Sequence, residues 1–179
     1  MRLSPLVFCI VILSQASSLA AEAPIGEWLV VDFYSSWFGK VRIENCGGAL
    51  WGVVSRELIP GQDSQNPDPA LRRRPTLGMP ILLDMEEKES AIWGEKTARW
   101  EGHFYNFRNG KTYEASIRLL RPDAMRLERC EPGGLFCGRQ DWKRVQAPSA
   151  GEKGTPWPKT AAPNVIAAGE VCSRIPGRV

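Results

Sequence analysis

Between Gly26 and Arg144 the polar and apolar side chains alternate at the spacing of strands rather than helices. Val41 and Ile43 stand among Lys40, Arg42 and Glu44, a period of two that turns one face to a core and the other to water. Before them, Gly26 to Val31 leads on to Phe33 and Tyr34, a β-prone and aromatic run. Cys46-Gly47-Gly48 reads as a turn, after which Leu50, Gly52 and Val54 alternate with Trp51, Val53 and Ser55. Met79 to Met85, broken by Asp84, gives a further strand. Glu86 to Thr97 is charged and irregular, and is expected to be a long loop with Ile92 and Trp93 folded back onto the body. Arg99 to Phe107 and Lys111 to Leu120 flank Arg108-Asn109-Gly110, and Asn-Gly accepts the positive φ angles of a tight hairpin turn. On the return strand Tyr113, Ala115, Ile117 and Leu119 share one face. After a turn at Pro122-Asp123, Met125 and Leu127 point inward, with Arg126 and Glu128 outward. Glu131 to Gly134 turns into a last strand, Phe136 to Val145, which carries Trp142.

One stretch interrupts this pattern. In Asp63 to Gly78, Asn66 and Asp68 each precede a proline and are pushed out of the helical region. Asp68 is placed to cap a single helical turn that begins at Pro69 and runs through Ala70, Leu71 and Arg72. The stretch is a crossover between two sets of strands. The whole predicts an all-β fold of about eight antiparallel strands, either a sandwich or an up-and-down barrel. The barrel is preferred, because closure removes the sheet edges. A barrel of that size has an interior filled by side chains or just wide enough for one small ligand.

The flanks of residues 25–146 differ in composition. Arg2 followed by the short apolar run Pro5 to Leu13 and by Ser18-Leu19-Ala20 has the layout of a secretory signal peptide spanning 1–20, with an uncleaved anchor as the alternative. From 147 to 179 prolines punctuate a segment rich in Ala, Gly and Lys, which reads as an extended tail. Without the leader, 22 basic and 20 acidic side chains remain, too balanced for a nucleic-acid surface. Cys46, Cys130, Cys137 and Cys172 form an even set, which in an exported chain reads as two disulfides. Metal binding is the rival, but no C-x-x-C spacing is present and His103 is the sole histidine. No cofactor or metal is expected.

Candidate chemistry is sparse. Arg72, Arg73 and Arg74 can form an anion clamp, or can pin the crossover to Asp63 or Asp68. His103, beside Tyr105 on a strand, is a general-base candidate, although a lone strand histidine is more often solvated. Ser55 and Ser116 lack a nucleophile elbow. Glu101, Glu114 and Asp141 have nothing to fix a glycosidase pair. Seven tryptophans are many for this length. Trp28 and Trp142 are assigned to the core, with Trp100 and Trp157 unassigned. Trp37, Trp51 and Trp93 are assigned to a rim. The ligand-binding candidates are therefore Arg72, Arg74, Trp51, Trp93 and Tyr105.

Several motifs occur in an order that carries a resemblance. They are Cys46-Gly47-Gly48-Ala49-Leu50, Asn-Pro-Asp-Pro-Ala-Leu-Arg at 66–72, Arg74-Pro75, and Gly78 with Pro80-Ile81-Leu82-Leu83. Asn109-Gly110-Lys111-Thr112-Tyr113 follows, and the series ends in Cys130, Gly133-Gly134-Leu135, Cys137-Gly138, Gln140 and Trp142. Together they resemble the domain-of-unknown-function 2147 family of small exported bacterial proteins. The resemblance implies a lipocalin-like β-barrel over roughly 25–146 and a periplasmic or secreted location. It implies no activity and no catalytic residues. Relatives often carry a cysteine where this chain has Trp51, so Cys46 needs another partner, and the implied pairs are Cys46–Cys172 and Cys130–Cys137. Trp28, two residues after Gly26, resembles the lipocalin-type plug that packs under an arginine of the last strand, here Arg144.

The expectation is a non-enzymatic exported barrel that binds a small apolar or amphipathic molecule. The alternative is a structural or envelope-interaction protein that meets a protein or cell-wall partner through the crossover and tail. An unrecognised hydrolase stands third. No membrane span is expected once the leader is removed.

Overall fold

The structure, a computed structural model, describes residues 22–32, 37–92, 95–131, 133–134, 136–145 and 165–175. The expected leader, Phe33, Tyr34, Trp93, Trp157 and residues 147–164 of the expected tail lie outside the described residues. Eight antiparallel strands close into a barrel in simple chain order. They are β1 Gly26–Asp32, β2 Trp37–Cys46, β3 Ala49–Glu57, β4 Pro80–Ile92, β5 Glu95–Asn106, β6 Lys111–Arg121, β7 Ala124–Cys130 and β8 Cys137–Arg144. Closure between β1 and β8 rests on the pairs Trp28 with Arg144 and Leu29 with Lys143. The barrel, rather than the sandwich, is thus the form the alternation takes.

Period-two patterning sets the core. Trp28, Val41, Ile43, Leu50, Val54, Leu82, Met85, Trp100, Ile117, Met125, Leu127 and Trp142 are buried and belong to one cluster. Each such side chain contributes about 1.5–3 kcal/mol by leaving water. Connections in a meander alternate between the two ends. The residues before β1 and the turns at 47–48 and 122–123 therefore share one end. The crossover, the β5–β6 turn and the β7–β8 connection share the other.

The first end is plugged. The Trp28 ring lies under the Arg144 guanidinium, 4.5 Å from ring centroid to Cζ. Trp28 Nε1 donates to the Pro24 carbonyl at 2.9 Å. Arg144 in turn donates to the carbonyls of Pro122 and Ile25 and to Glu22. One guanidinium thus ties the chain start, the β6–β7 turn and the last strand over a buried indole.

Two expectations change. The stretch Glu86 to Thr97 is not an irregular loop. β4 continues to Ile92 and β5 starts at Glu95, with unbroken pairing from Glu86↔Glu101 to Ile92↔Glu95. Beyond Met85, β4 pairs with β5 and no longer with β3, while β6 meets β5 only from Trp100 onward. The segment is a two-stranded ribbon whose described side chains from Glu86 to Glu89 are exposed, so charge there is compatible with strand. The β5–β6 turn also differs. Asn106 pairs with Lys111, leaving four residues in the turn. Only Gly110 has positive φ, at 68°. Asn109 instead accepts from Lys111 N through Oδ1 and donates to Tyr113 Oη at 2.8 Å.

The two implied disulfides are present, and one of them fastens the C-terminal end. Residues 165–175 lie against the outside of β2 and β3, where Ile166, Val171 and Ile175 build a small second core with Cys46 and Val53. Cys172 bonds to Cys46, and Cys130 bonds to Cys137. This strap explains why Val53, Val54 and Ser55 are all fully buried: β3 is covered on both faces. Beneath the strap Glu27 takes Lys40 at 3.2 Å, Arg42 at 3.3 Å and the Ser55 hydroxyl at 3.0 Å. Arg42 also donates to the Ile166 carbonyl at 3.1 Å.

Candidate functional site

The crossover is built around a buried carboxylate. Asp63, with no exposed surface, accepts from Tyr105 Oη at 2.7 Å and from Asn66 Nδ2 at 2.6 Å. The Arg74 guanidinium reaches the same carboxylate at 2.8 and 2.9 Å. Asn66 Oδ1 accepts from the Asp68 amide, and Asp68 caps the single 3-10 turn Pro69–Leu71 through the Ala70 amide. Arg72 Nε donates to the Asn66 carbonyl at 2.8 Å. Burial first, then the hydrogen bond to Asp63, push the Tyr105 phenol up to about 12. The tip of the β5–β6 turn presses on this unit, since a Cβ on Gly110 would fall 1.9 Å from the Gln65 carbonyl oxygen.

Three ligand candidates, Arg72, Arg74 and Tyr105, therefore meet at one place, held by the crossover's own groups. Trp51 does not join them. It sits on the outer face of β3 near the opposite end, packed beside the strap. Trp93 is among the residues outside the description. Arg73 is exposed.

On the outer face of β5 to β8 a shallow groove of about 610 Å3 includes Glu101, His103, Glu114, Ser116, Glu128 and Arg139. Its acids are largely paired: Glu101 with Arg99 at 3.2 Å and Glu128 with Arg139 at 2.7 Å. Asp141, nearby on β8, is held below the usual carboxylate range by hydrogen bonds from Arg126 at 2.7 and 2.8 Å. His103 is exposed and lies opposite Glu114. Among the described residues no group of three metal-ligating side chains occurs.

The inner wall has a feature that the candidate residues omitted. Register carries Gly102, Ala115, Arg129 and Gly138 across β5, β6, β7 and β8 at one level. Arg129 shares the inward face with Met125 and Leu127, so the alternation that assigns those two assigns Arg129 as well. Its guanidinium lies over Phe104 at 5.6 Å and over Tyr113 at 6.0 Å. These rings belong to the main core, at the crossover end of the wall.

A closed eight-stranded antiparallel barrel, plugged at one end by a tryptophan under an arginine, is lipocalin-like. The chain belongs to the domain-of-unknown-function 2147 family, described as "Uncharacterized protein conserved in bacteria", whose profile matches residues 26–144. Among solved structures it is similar to protein HP1028 from the human pathogen Helicobacter pylori, described as belonging to the lipocalin family. That similarity has a TM-score of 0.60 at 21% identity and covers 71% of this chain and 85% of the other. At that identity the likeness speaks for the fold. No curated protein matches the sequence significantly.

Proposed function

We propose that this is an exported, non-catalytic binding protein for a small apolar or amphipathic molecule. The observation that carries the reading is the composition of the inner wall. It is apolar and aromatic from Trp28 and Trp142 at the plugged end to Phe104 and Tyr113 at the other. With one end sealed by Arg144, the molecule enters from the crossover end and lies along the aromatic wall. Two disulfides support an oxidising, extracytoplasmic location.

Native mass spectrometry of protein purified from its own host, paired with titration of a neutral environment-sensitive dye, tests the reading. A retained apolar mass or saturable dye binding at micromolar concentration is expected. A protein that carries no extra mass and leaves the dye in water overturns it.

A second reading has one observation in its favour. The crossover end exposes Ile59 (74% exposed) and Leu71, with Phe136 (75% exposed) in the β7–β8 connection. Such residues suit contact with an envelope partner. An Ile59→Asp variant that keeps full binding to isolated envelope material would remove that reading.

A further inference from the structure

We infer that the cavity beside the crossover is a binding site for a neutral mono- or disaccharide. The inference goes beyond the reading above and does not rest on it, because none of the buried core side chains lines this cavity.

Room is present here without any rearrangement. Three pieces of chain wall a cavity of about 530 Å3 at the crossover end. They are the end of β3 with the outgoing arm of the crossover, the crossover tip at Ser64 and Gln65, and the β5–β6 turn at Phe107 and Arg108. That volume lies within the range of small-molecule sites, about 300–1,000 Å3. The walls are also fixed. Gln62 bridges to Pro75, the Thr76 amide donates to the Gly61 carbonyl at 3.1 Å, and the Asp63 amide donates to the Arg74 carbonyl at 3.1 Å.

The polar wall is built around Glu57. This half-buried carboxylate is oriented by the fully buried Thr76 hydroxyl, which donates to Oε1. A carboxylate with one such bond keeps lone pairs for further donors. Gly61 stands beside the pair without a positive φ, so its backbone conformation does not require glycine. Space does: a Cβ there would fall 2.8 Å from Thr76 Oγ1 and 3.8 Å from Glu57 Oε1. Phe107, which packs on the main core, gives the cavity an aromatic wall.

This lining selects the ligand class. Glu57 and Arg108 carry opposite charges on one cavity, so an anion meets the first and a cation the second. The amides of Gln62 and Gln65 and the hydroxyls of Ser64 and Thr76 each both donate and accept. A wholly apolar ligand would cut these groups off from water at about 1–3 kcal/mol for each left unpaired. Hydroxyl groups on the ligand also donate and accept at once, and the C–H face of a sugar ring suits Phe107.

The test follows amide chemical shifts of isotope-labelled protein, with both disulfides formed, during titration with maltose, cellobiose and diacetylchitobiose. Octanoate serves as the apolar acid control. At least one disaccharide should give saturable shifts centred on Gly61, Gln62 and Gln65 with a Kd of about 1 mM. Octanoate should leave those amides in place. Glu57→Gln keeps the side-chain shape and should weaken binding about 10-fold, the difference between a charged and a neutral acceptor. Ser64→Trp puts an indole at an exposed edge of the cavity and should abolish binding, which keeps the test open if Glu57→Gln does not fold. The site is overturned if no disaccharide moves these amides, if octanoate moves them as far, or if Ser64→Trp binds like the wild type. None of these outcomes touches the barrel reading, which stands or falls on retained apolar mass and dye binding.

Discussion

Asp63 is a carboxylate with no exposed surface, and among the described residues Tyr105, Asn66 and Arg74 meet it. Removing it strands three donors at once. Asp63→Ala should cost about 3–5 kcal/mol in urea unfolding, the range for breaking a buried charge pair. Tyr105→Phe, which deletes one donor, should cost about 1 kcal/mol. The phenol also gives the hub a pH signature. Its folded pKa of about 12 lies above the ordinary value of 10.0. Its stabilising contribution is therefore whole below pH 10 and is lost as pH rises toward 12. Ultraviolet titration should show a tyrosine step near pH 12, and Tyr105→Phe should abolish that step. Gly110 gives a steric counterpart. A Cβ there meets the Gln65 carbonyl at 1.9 Å at a φ of +68°, whereas Gly48 at +101° meets nothing within 4 Å. Gly110→Ala should cost about 2–4 kcal/mol and Gly48→Ala about 1, measured side by side by thermal melting. At this scale much was legible: the Asp68 cap, Pro69 and the choice between clamp and pins for Arg72 to Arg74 all follow from local sequence. Asp63 as the common acceptor was not, because Tyr105 is 42 residues away and only the closed fold brings it there.

At the scale of elements the two disulfides make unequal claims. Cys46–Cys172 spans 126 residues and Cys130–Cys137 spans 7. Loop entropy assigns them roughly 5 and 2.5 kcal/mol. The longer one also fastens the strap whose Ile166, Val171 and Ile175 cover β2 and β3. Cys46→Ser with Cys172→Ser should therefore lower the urea midpoint well beyond Cys130→Ser with Cys137→Ser. It should also expose 165–175 to proteolysis while the barrel stays folded. Equal losses would mean that the strap adds nothing once its covalent tie is cut. The strap was hidden in the sequence because its apolar residues are few and set among Gly, Ala and charge. What they bury is the outer face of β3, which alternation alone marks as wet. The β4–β5 ribbon was hidden for a related reason. From Glu86 to Glu89 the side chains are exposed on both faces, so the period that reveals strands elsewhere is missing there. Arg129, by contrast, lies in a register the sequence does reveal, and its omission came from reading inward positions as apolar.

For the whole molecule, closure divides the chain into what the barrel needs and what it carries. Core strands are bound on both edges: β3 pairs with β2 and β4, and β6 with β5 and β7. Beyond Met85 and before Trp100 the two strands of the ribbon pair in the sheet with each other and not with β3 or β6. Its loss should leave the ring of hydrogen bonds and the plug at Trp28 untouched. Replacing residues 89–98 with Asn-Gly keeps the Lys88↔Arg99 pair as the base of a two-residue hairpin. Among the described side chains of this stretch, Ala98 leans on the core. The shortened protein should fold with near-native circular dichroism and a stability within about 1 kcal/mol of the full chain, since loop length changes closure entropy only slowly. Trp100→Ala, two residues inside the barrel boundary, should cost about 3–5 kcal/mol in the same assay because that side chain is in the core. If shortening the ribbon costs as much as losing Trp100, the ribbon belongs to the barrel's cooperative unit, and the boundary between barrel and appendage drawn at Met85 and Trp100 is misplaced.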